Sequence, residues 1–495
     1  MNNNWLNIYR ESHSKTVKSL RQLNGITVAF NTNIDAIVNF TPPMVQQLID
    51  KIGLEPQSLK RRIHEWKGII EQPVDYLIGL FGCFKEGRAS EWLIQNKETY
   101  EFLKRHLPIN QPLRMGGQAG IMANVLALLD IPLVITHCAS LPKEQAELFI
   151  SKENIVVPVV DSNGELFYLH PRNTSNPSDP VYMHFISEFR KDDQFVILDQ
   201  EPWACPRSNR FIATYDPINN NLEISQAFME GIEQIAKKTD AFLISGFHLL
   251  PPEKLALAEI KQKIQTVARL IDRAREANPG LKTHYELCGT KQTIILKELF
   301  DFSKEYQFWD SLGANERELV DALEILGETQ LVKALSSNMT QEKVLEGAFI
   351  ITEQLALQRF HLHEFGCYLV LHRKKPSINP ERIRAALCFS SLIAAERAKT
   401  GTINQHSSIE PFLNNFTGKE EHFPKTFKEL ASAIEKKGLC SRDQFLASGI
   451  LEHNNYFIIA VPTILIDNPK FTVGLGDTIS STAFVAELAL TKTGH

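Results

Sequence analysis

Along the chain, short β-rich apolar runs alternate with stretches of helical periodicity. The run ITVAF (26–30) reads as a buried strand, AGIMANVLALL (119–129) as a helix and 133–136 as the next strand. AFLIS (241–245), 283–287, CYLVL (367–371) and 461–466 are further predicted strands. Helices are predicted over 255–276, over 316–326 with a polar start, over 382–399, and from about 478 after a glycine turn. The Ala-rich helix 382–399 is expected to stop at Gly401. Strand and helix in alternation predict an α/β fold around a largely parallel sheet.

Two regions, 34–115 and 151–237, interrupt this alternation and are richer in charge, proline and aromatics. The expectation is that these two excursions together build a smaller α/β lid domain. Residues 1–33, 116–150 and 238–495 are left as the large domain. A chain of 495 residues is long enough for two or three units. The polar segment 402–427 reads as a surface insertion, and there is no internal repeat.

The composition, 43% hydrophobic and 22% charged, is globular. A net charge of -5 gives no reason to expect nucleic acid or an anionic membrane as partner. The seven cysteines are scattered and include no C-x-x-C pair, which argues against a disulfide framework or zinc site. The start, MNNNWLNIYRESHSK, lacks the apolar core of a signal peptide, and no run approaches the ~18 apolar residues of a membrane span. The expected compartment is the cytoplasm. The chain is expected to be a monomer, because no apolar stripe is reserved for a partner.

The chemistry is concentrated in a few stretches. TVGLGDTISS (472–481) follows a strand and opens a helix. Gly474 and Gly476 let the backbone approach a ligand closely, and the amides of Gly474, Leu475 and Gly476 would line one concavity at the positive end of a helix. Such a place stabilises an anion, and Asp477 beside it could accept a proton from an attacking hydroxyl. An ordinary glycine turn with Asp477 as a helix cap explains this stretch as well. GGQAGIMAN (116–124) pairs a double glycine with a helix start. In NTNIDAIVNF (31–40), Asn31, Asn33 and Asp35 fall on one side of an extended chain, as ligands for sugar hydroxyls or as a solvated turn. HYE (284–286) ends a strand and NERE (315–318) opens a helix, so Glu286 and Glu318 are candidates to hold magnesium near phosphates.

Taken together and in this order, these stretches resemble the ADP-dependent sugar kinases, the archaeal-type glucokinase and phosphofructokinase branch of the ribokinase-like superfamily. The resemblance runs from about Asn31 to the C-terminus. It rests on G-x-G-D at 474–477, H-x-E at 284–286, N-x-x-E at 315–318, N-x-N-x-D at 31–35 and PRSNRF at 206–211. It implies a ribokinase-like large domain with a lid, and transfer of a phosphoryl group from ADP to a sugar or sugar phosphate, releasing AMP, with Mg2+. By resemblance Asp477 is the base, the amides of Gly474, Leu475 and Gly476 form the anion hole, and Glu286, Glu318 and Asp477 organise magnesium. Asn33, Asp35, Glu91, Gly116, Gly117, Gln118 and His184 line the sugar site. Arg210 reaches from the lid to the terminal phosphate. Val461, Pro462 and His361 or His363 lie near the adenine.

The acceptor is read from opposing signs. Glu91 aligns with the carboxylate that glucose-phosphorylating relatives use, and a carboxylate there repels a phosphosugar. The stretch 171–189 leading to His184 looks more like the phosphofructokinase and bifunctional members. Arg88, Arg172, Arg190, Lys191 and Arg207 could receive a 6-phosphate or be surface charges. Fructose 6-phosphate with some glucose activity is the expectation, and a glucokinase is the alternative. An ATP-dependent ribokinase-like enzyme and a non-catalytic sugar or nucleotide sensor are the rivals. A sensor needs neither a base nor two metal-organising carboxylates. No G-x-G-x-x-G follows the first strand, which weakens a Rossmann dehydrogenase. The spacing from His184 to Arg210 is longer than the family's, and 199–205 reads as an insertion.

Overall fold

The computed structural model describes residues 5–62, 64–110, 112–196, 202–289, 293–404, 406–413, 416 and 420–494. The predicted insertion at 199–205 lies partly outside these residues, as does part of 402–427. An 11-stranded sheet forms the larger half. At its centre Ile26–Ala29 runs parallel to Ala241–Ile244 on one side and Val134–Thr136 on the other. Lys282–Glu286, Ser311–Ala314 and Arg359–Glu364 continue the parallel order outward, as does Ile155–Val160 on the opposite flank. Antiparallel strands finish both margins: Cys367–Arg373, Tyr456–Pro462 and Ile450–His453 at one, Leu166–Leu169 at the other.

The central strands are apolar on both faces because helices cover both. Every residue of Ile26–Ala29 and Ala241–Ile244 is buried. One core joins the sheet to helices Gln226–Lys238, Leu257–Ala277, Glu316–Ile325 and Gln341–Gln354. A second gathers around helices Gln118–Leu128 and Leu475–Thr493. Helix Pro380–Thr400 starts at the Asn379 cap and stops at Gly401, which turns left-handed with φ 84°. The first helix, Trp5–Leu20, is fastened to the far end of the chain. Trp5 Nε1 donates to Leu446 O (2.8 Å) and Tyr9 Oη to Pro462 O (2.5 Å).

The second, six-stranded sheet runs in the order Ile69–Ile70, Ser90–Ile94, Asn209–Thr214, Met183–Phe189, Asn33–Val38, Arg114–Gly116. Side chains alternate across it with period two. Ala36, Val38, Phe185, Phe189, Phe211, Ala213, Trp92 and Ile94 face a core shared with helix Pro73–Glu86. The register therefore puts Asn33, Asp35, His184, Arg210, Thr214 and Glu91 on the opposite face. One apolar alternation thus fixes a row of polar groups on the side turned away from the core.

The structure departs from the sequence reading in three places. Ile155–Val160 and Leu166–Leu169 belong to the large sheet, and Gln226–Lys238 packs into its core. The second excursion is therefore narrower than 151–237, because the polar turn at 161–165 hides an apolar hairpin. The strand placed at 461–466 is Tyr456–Pro462, since pairing with Cys367–Arg373 ends at Pro462. The last helix begins at Leu475, so Gly476 and Asp477 lie inside its first turn. None of the seven cysteines is in a disulfide, and no helix among the described residues is long and apolar enough to cross a membrane.

Candidate active site

The polar face of the small sheet meets the carboxyl ends of the parallel strands, where open α/β sheets bind ligands. The chain crosses between the sheets at 30–33 and again at 116–118. Asn33 Nδ2 donates to Asp35 Oδ1 (2.8 Å), and both side chains lie directly over Gly116. A Cβ at Gly116 would stand 2.0 Å from Asp35 Oδ1 and 2.3 Å from Asn33 Nδ2, so only glycine fits. Burial pushes the Asp35 carboxyl up to about 6, although His184, Asn33 and Arg210 oppose the rise and Glu91 adds to it. Glu91 accepts from Thr214 Oγ1 (2.5 Å). Arg210, whose charge acts on Asp35, keeps a buried Nε with no partner among the described residues. Asn31 does not join this row, because its Oδ1 accepts from Ser245 Oγ (3.2 Å) on the neighbouring strand end.

The second part of the site is the start of helix Leu475–Thr493. Gly474 caps it with φ 69°. A Cβ there would meet Ile121 at 2.6 Å and Arg397 Nη2 at 3.1 Å. The Leu475 amide turns back to Thr472 O (3.4 Å), and the Gly476 and Asp477 amides are left as the open donors of the first turn. Arg397 donates to Gly474 O (3.2 Å), Val473 O (3.4 Å) and Thr478 Oγ1, and so holds the glycine turn against helix Pro380–Thr400. Burial, with Glu286 adding to it, lifts the Asp477 carboxyl to about 6, against Arg397, Gln118 and His363. A carboxylate at that value is ionised at neutral pH and still basic enough to take a proton.

The third part is a buried group of Glu286, Glu318 and His363, whose ligand atoms all lie within 4.8 Å of one another. Glu286 ends its strand over Gly313, where a Cβ would stand 2.0 Å from Oε2. His363 Nε2 sits 2.8 Å from Glu286 Oε1. His284 bridges Ser311 Oγ (2.9 Å) and Ser480 Oγ (2.7 Å) and approaches Glu286 Oε2 at 3.7 Å. Burial would raise the Glu286 pKa, but His363 and His284 outweigh it and hold the carboxyl at about 2. Burial and the Glu286 charge push Glu318 up to about 8, although it accepts from Gly289 N (2.9 Å) and Asn315 N (2.8 Å). The opposite shifts leave Glu286 ionised against His363 and favour a proton on Glu318 at neutral pH, a proton that a cation bound there would displace. Glu286 Oε2 is buried and has no hydrogen-bond partner among the described residues. These hard oxygen donors fit a magnesium ion.

The sequence-derived residues thus converge, with exceptions. Gln118 lies at the junction, its Nε2 3.4 Å from Glu286 O and near enough to Asp477 to hold that carboxyl down. Asp477 is not among the three ligand-bearing residues of the acidic group. Val461 and His361 are fully buried at 0% and present no surface to the cleft. His363 is paired with Glu286. Of the cations weighed for a 6-phosphate, Arg172 is used on Glu147 O and Phe149 O, and Arg88 lies over the Trp66 ring at 3.3 Å. Four contributors escaped the sequence reading: Arg397, Asp216, His248 and Cys288. His248 is near enough to Glu91 and His184 to feel their charges, and Cys288 to feel Glu318, Glu91, Asp477 and Arg210.

Comparison with known proteins agrees with this arrangement. The family described as "ADP-specific Phosphofructokinase/Glucokinase conserved region" matches residues 24–486. An ADP-dependent glucose/glucosamine kinase of Pyrococcus abyssi is 31% identical over 99% of this chain and 100% of its own. An ADP-specific phosphofructokinase of Methanosarcina acetivorans is 28% identical over 99% and 98%. Among solved structures, an ADP-dependent kinase complexed with fructose-6-phosphate and ADPβS superposes with a TM-score of 0.82 at 29% identity, covering 99% of this chain and 98% of that one. The chain therefore belongs to the ADP-specific phosphofructokinase/glucokinase family.

Proposed function

We propose that this protein transfers the β-phosphoryl group of ADP to fructose 6-phosphate, giving fructose 1,6-bisphosphate and AMP, with glucose as a secondary acceptor. The observation that carries the reading is the likeness to the solved complex with fructose-6-phosphate and ADPβS, which extends over 99% of the chain. The polar face of the small sheet holds the acceptor through Asn33, Asp35, Glu91 and His184. Asp477 takes the proton of the attacking hydroxyl, and the Gly476 and Asp477 amides stabilise the charge on the transferring group. Arg210 reaches the terminal phosphate from the small-sheet side. Glu286 and Glu318 would hold magnesium, with His363 fixing Glu286; the ion supplies charge neutralisation at the phosphates. The protein's own work is orientation and exclusion of water, since an exposed donor would be hydrolysed.

A glucokinase is the second reading. It is favoured by Glu91, which Thr214 holds on the same sheet face as Asp35 and His184. A carboxylate there suits a neutral hexose hydroxyl and disfavours a phosphate. An assay crossing ADP and ATP with fructose 6-phosphate and glucose in the presence of magnesium tests both. AMP formation with fructose 6-phosphate above that with glucose supports the first reading. The reverse order supports the second, and turnover only with ATP defeats both.

A further inference from the structure

We infer that Asp216 is the positioning residue of His184, and that the two form a charged recognition unit for an acceptor oxygen, tied to the crossover between the two sheets. The inference rests on the proposed place of His184 in the sugar site. His184 lies beside Asp35 and Thr214 in the sheet register. Its Nε2 is 3.3 Å from Asp216 Oδ2, and both residues are buried at 5% and 4% exposure. Asp216 is itself fixed. Its Oδ1 accepts from Asn219 N (3.0 Å) and its Oδ2 from Asn219 Nδ2 (2.5 Å). Asn219 Nδ2 also donates to Thr32 O (3.1 Å), and Thr32 Oγ1 accepts from Gln145 Nε2 (2.8 Å). Thr32 stands between Ile26–Ala29 of the large sheet and Asn33–Val38 of the small one. A buried chain of hydrogen bonds thus runs from His184 to the segment on which the two sheets join.

With Nε2 committed to Asp216, Nδ1 is the ring nitrogen left for an acceptor oxygen, since it makes no hydrogen bond to any described residue. A neutral ring donating through Nε2 leaves Nδ1 an acceptor, whereas the protonated ring makes it a donor. Asp216 therefore sets the sign of the hydrogen bond offered to the sugar. The groups that face His184 are Asp35, Glu91, Asp216 and His248, with Tyr100 and Tyr182 around Asp216 and Arg210 beside Asp35. Burial lowers the His184 pKa, but Asp216, Glu91 and Asp35 outweigh it and raise the value above the ordinary one. Removing the Asp216 charge must lower it.

Asp216→Asn tests the unit, because asparagine keeps through its one oxygen the cap of helix Pro217–Asn220 on Asn219 N, while its amide nitrogen removes the charge and the acceptor that His184 and Asn219 Nδ2 share. Two readouts are compared. In sugar-free enzyme, NMR of selectively labelled histidine should show one ring, absent in His184→Gln, whose pKa falls in D216N. In turnover, the KM for the acceptor should rise about tenfold at pH 7.5 and return toward wild type below about pH 6. The kcat and the KM for ADP should stay within about twofold. Asp35 titrates in both proteins, so the ratio of variant to wild-type KM is the quantity to follow. An unchanged His184 titration in D216N overturns the dyad whatever the enzyme phosphorylates. A lowered titration with a KM ratio independent of pH keeps the dyad but overturns its part in acceptor recognition.

Discussion

Gly313→Ala makes the most direct test of the acidic group, because the structure sets the size of the effect. Gly313 is paired in register with Glu286, and its φ needs no glycine, so the added methyl acts by contact alone. Its Cβ would lie 2.0 Å from Glu286 Oε2, 2.3 Å from Ser480 Oγ and 3.1 Å from His284 Cε1. Non-bonded atoms of this kind sit about 3.5 Å apart, so the carboxylate must withdraw by about 1–1.5 Å. The withdrawal pulls Oε1 away from His363, a pair held at 2.8 Å and buried. Disrupting such a pair costs about 3 kcal/mol, which for a chain of 495 residues lowers a two-state Tm by about 3 °C. A displacement of about 1 Å in a residue that organises the reaction costs roughly a hundredfold in kcat. Calorimetry and an AMP-release assay across a magnesium titration measure both. Gly289→Ala is the control. Its Cβ would lie 3.9 Å from Glu318 Oε1, an ordinary contact, and it should stay within about twofold of wild type. If G313A kept its Tm, turnover and magnesium half-saturation, Glu286 would not be a held ligand of the site.

Asp477→Ala should bind ADP normally by calorimetry and lose about 10²–10⁴ in kcat, and near-normal turnover would remove Asp477 from the role of base. Asp35 and Asp477 both titrate at about 6 and both act as carboxylates, so log kcat/KM should fall with a slope approaching two below that value. A profile flat down to about pH 5 would contradict this assignment. Glu91→Ala should raise the ratio of kcat/KM for fructose 6-phosphate over glucose by at least about tenfold, measured side by side at one ADP concentration. Glu318→Gln should raise the magnesium concentration for half-activity by about tenfold while leaving the KM for the acceptor unchanged.

How much could be read in advance depended on the range of the interaction. The GLGD turn is local: two glycines and a following helix bring Asp477 and the first-turn amides together within one turn of chain. Asn33 and Asp35 were legible for the same reason, since period two settles which side they share. Asn31 was not, because the strand begins only at Asn33 and Ser245 claims its side chain. The pairing of His363 with Glu286 leaves no local trace in the sequence, because it spans 77 positions and follows from sheet order. Arg397 reads as a solvent charge near the end of an Ala-rich helix, and only the packing of that helix on Leu475–Thr493 reveals the carbonyls it holds. Asp216 carried one local signal, the D-P start of a short helix, which marks a cap but says nothing of the histidine opposite.

The order of the strands also bears on how the molecule is made. The last strand of the small sheet ends at Thr214, so that sheet is complete when less than half of the chain has left the ribosome. The large sheet must wait for Tyr456–Pro462, and the first helix has its hydrogen-bond partners 441 and 453 residues downstream. Domains generally fold as units during synthesis. A nascent or prematurely terminated chain would therefore carry the finished polar face of the small sheet while Trp5 and Tyr9 stand unpartnered and Asp477 is still missing. Asp477 arrives late, on helix Leu475–Thr493, so on the proposed roles a product truncated before it would carry the acceptor face without the base.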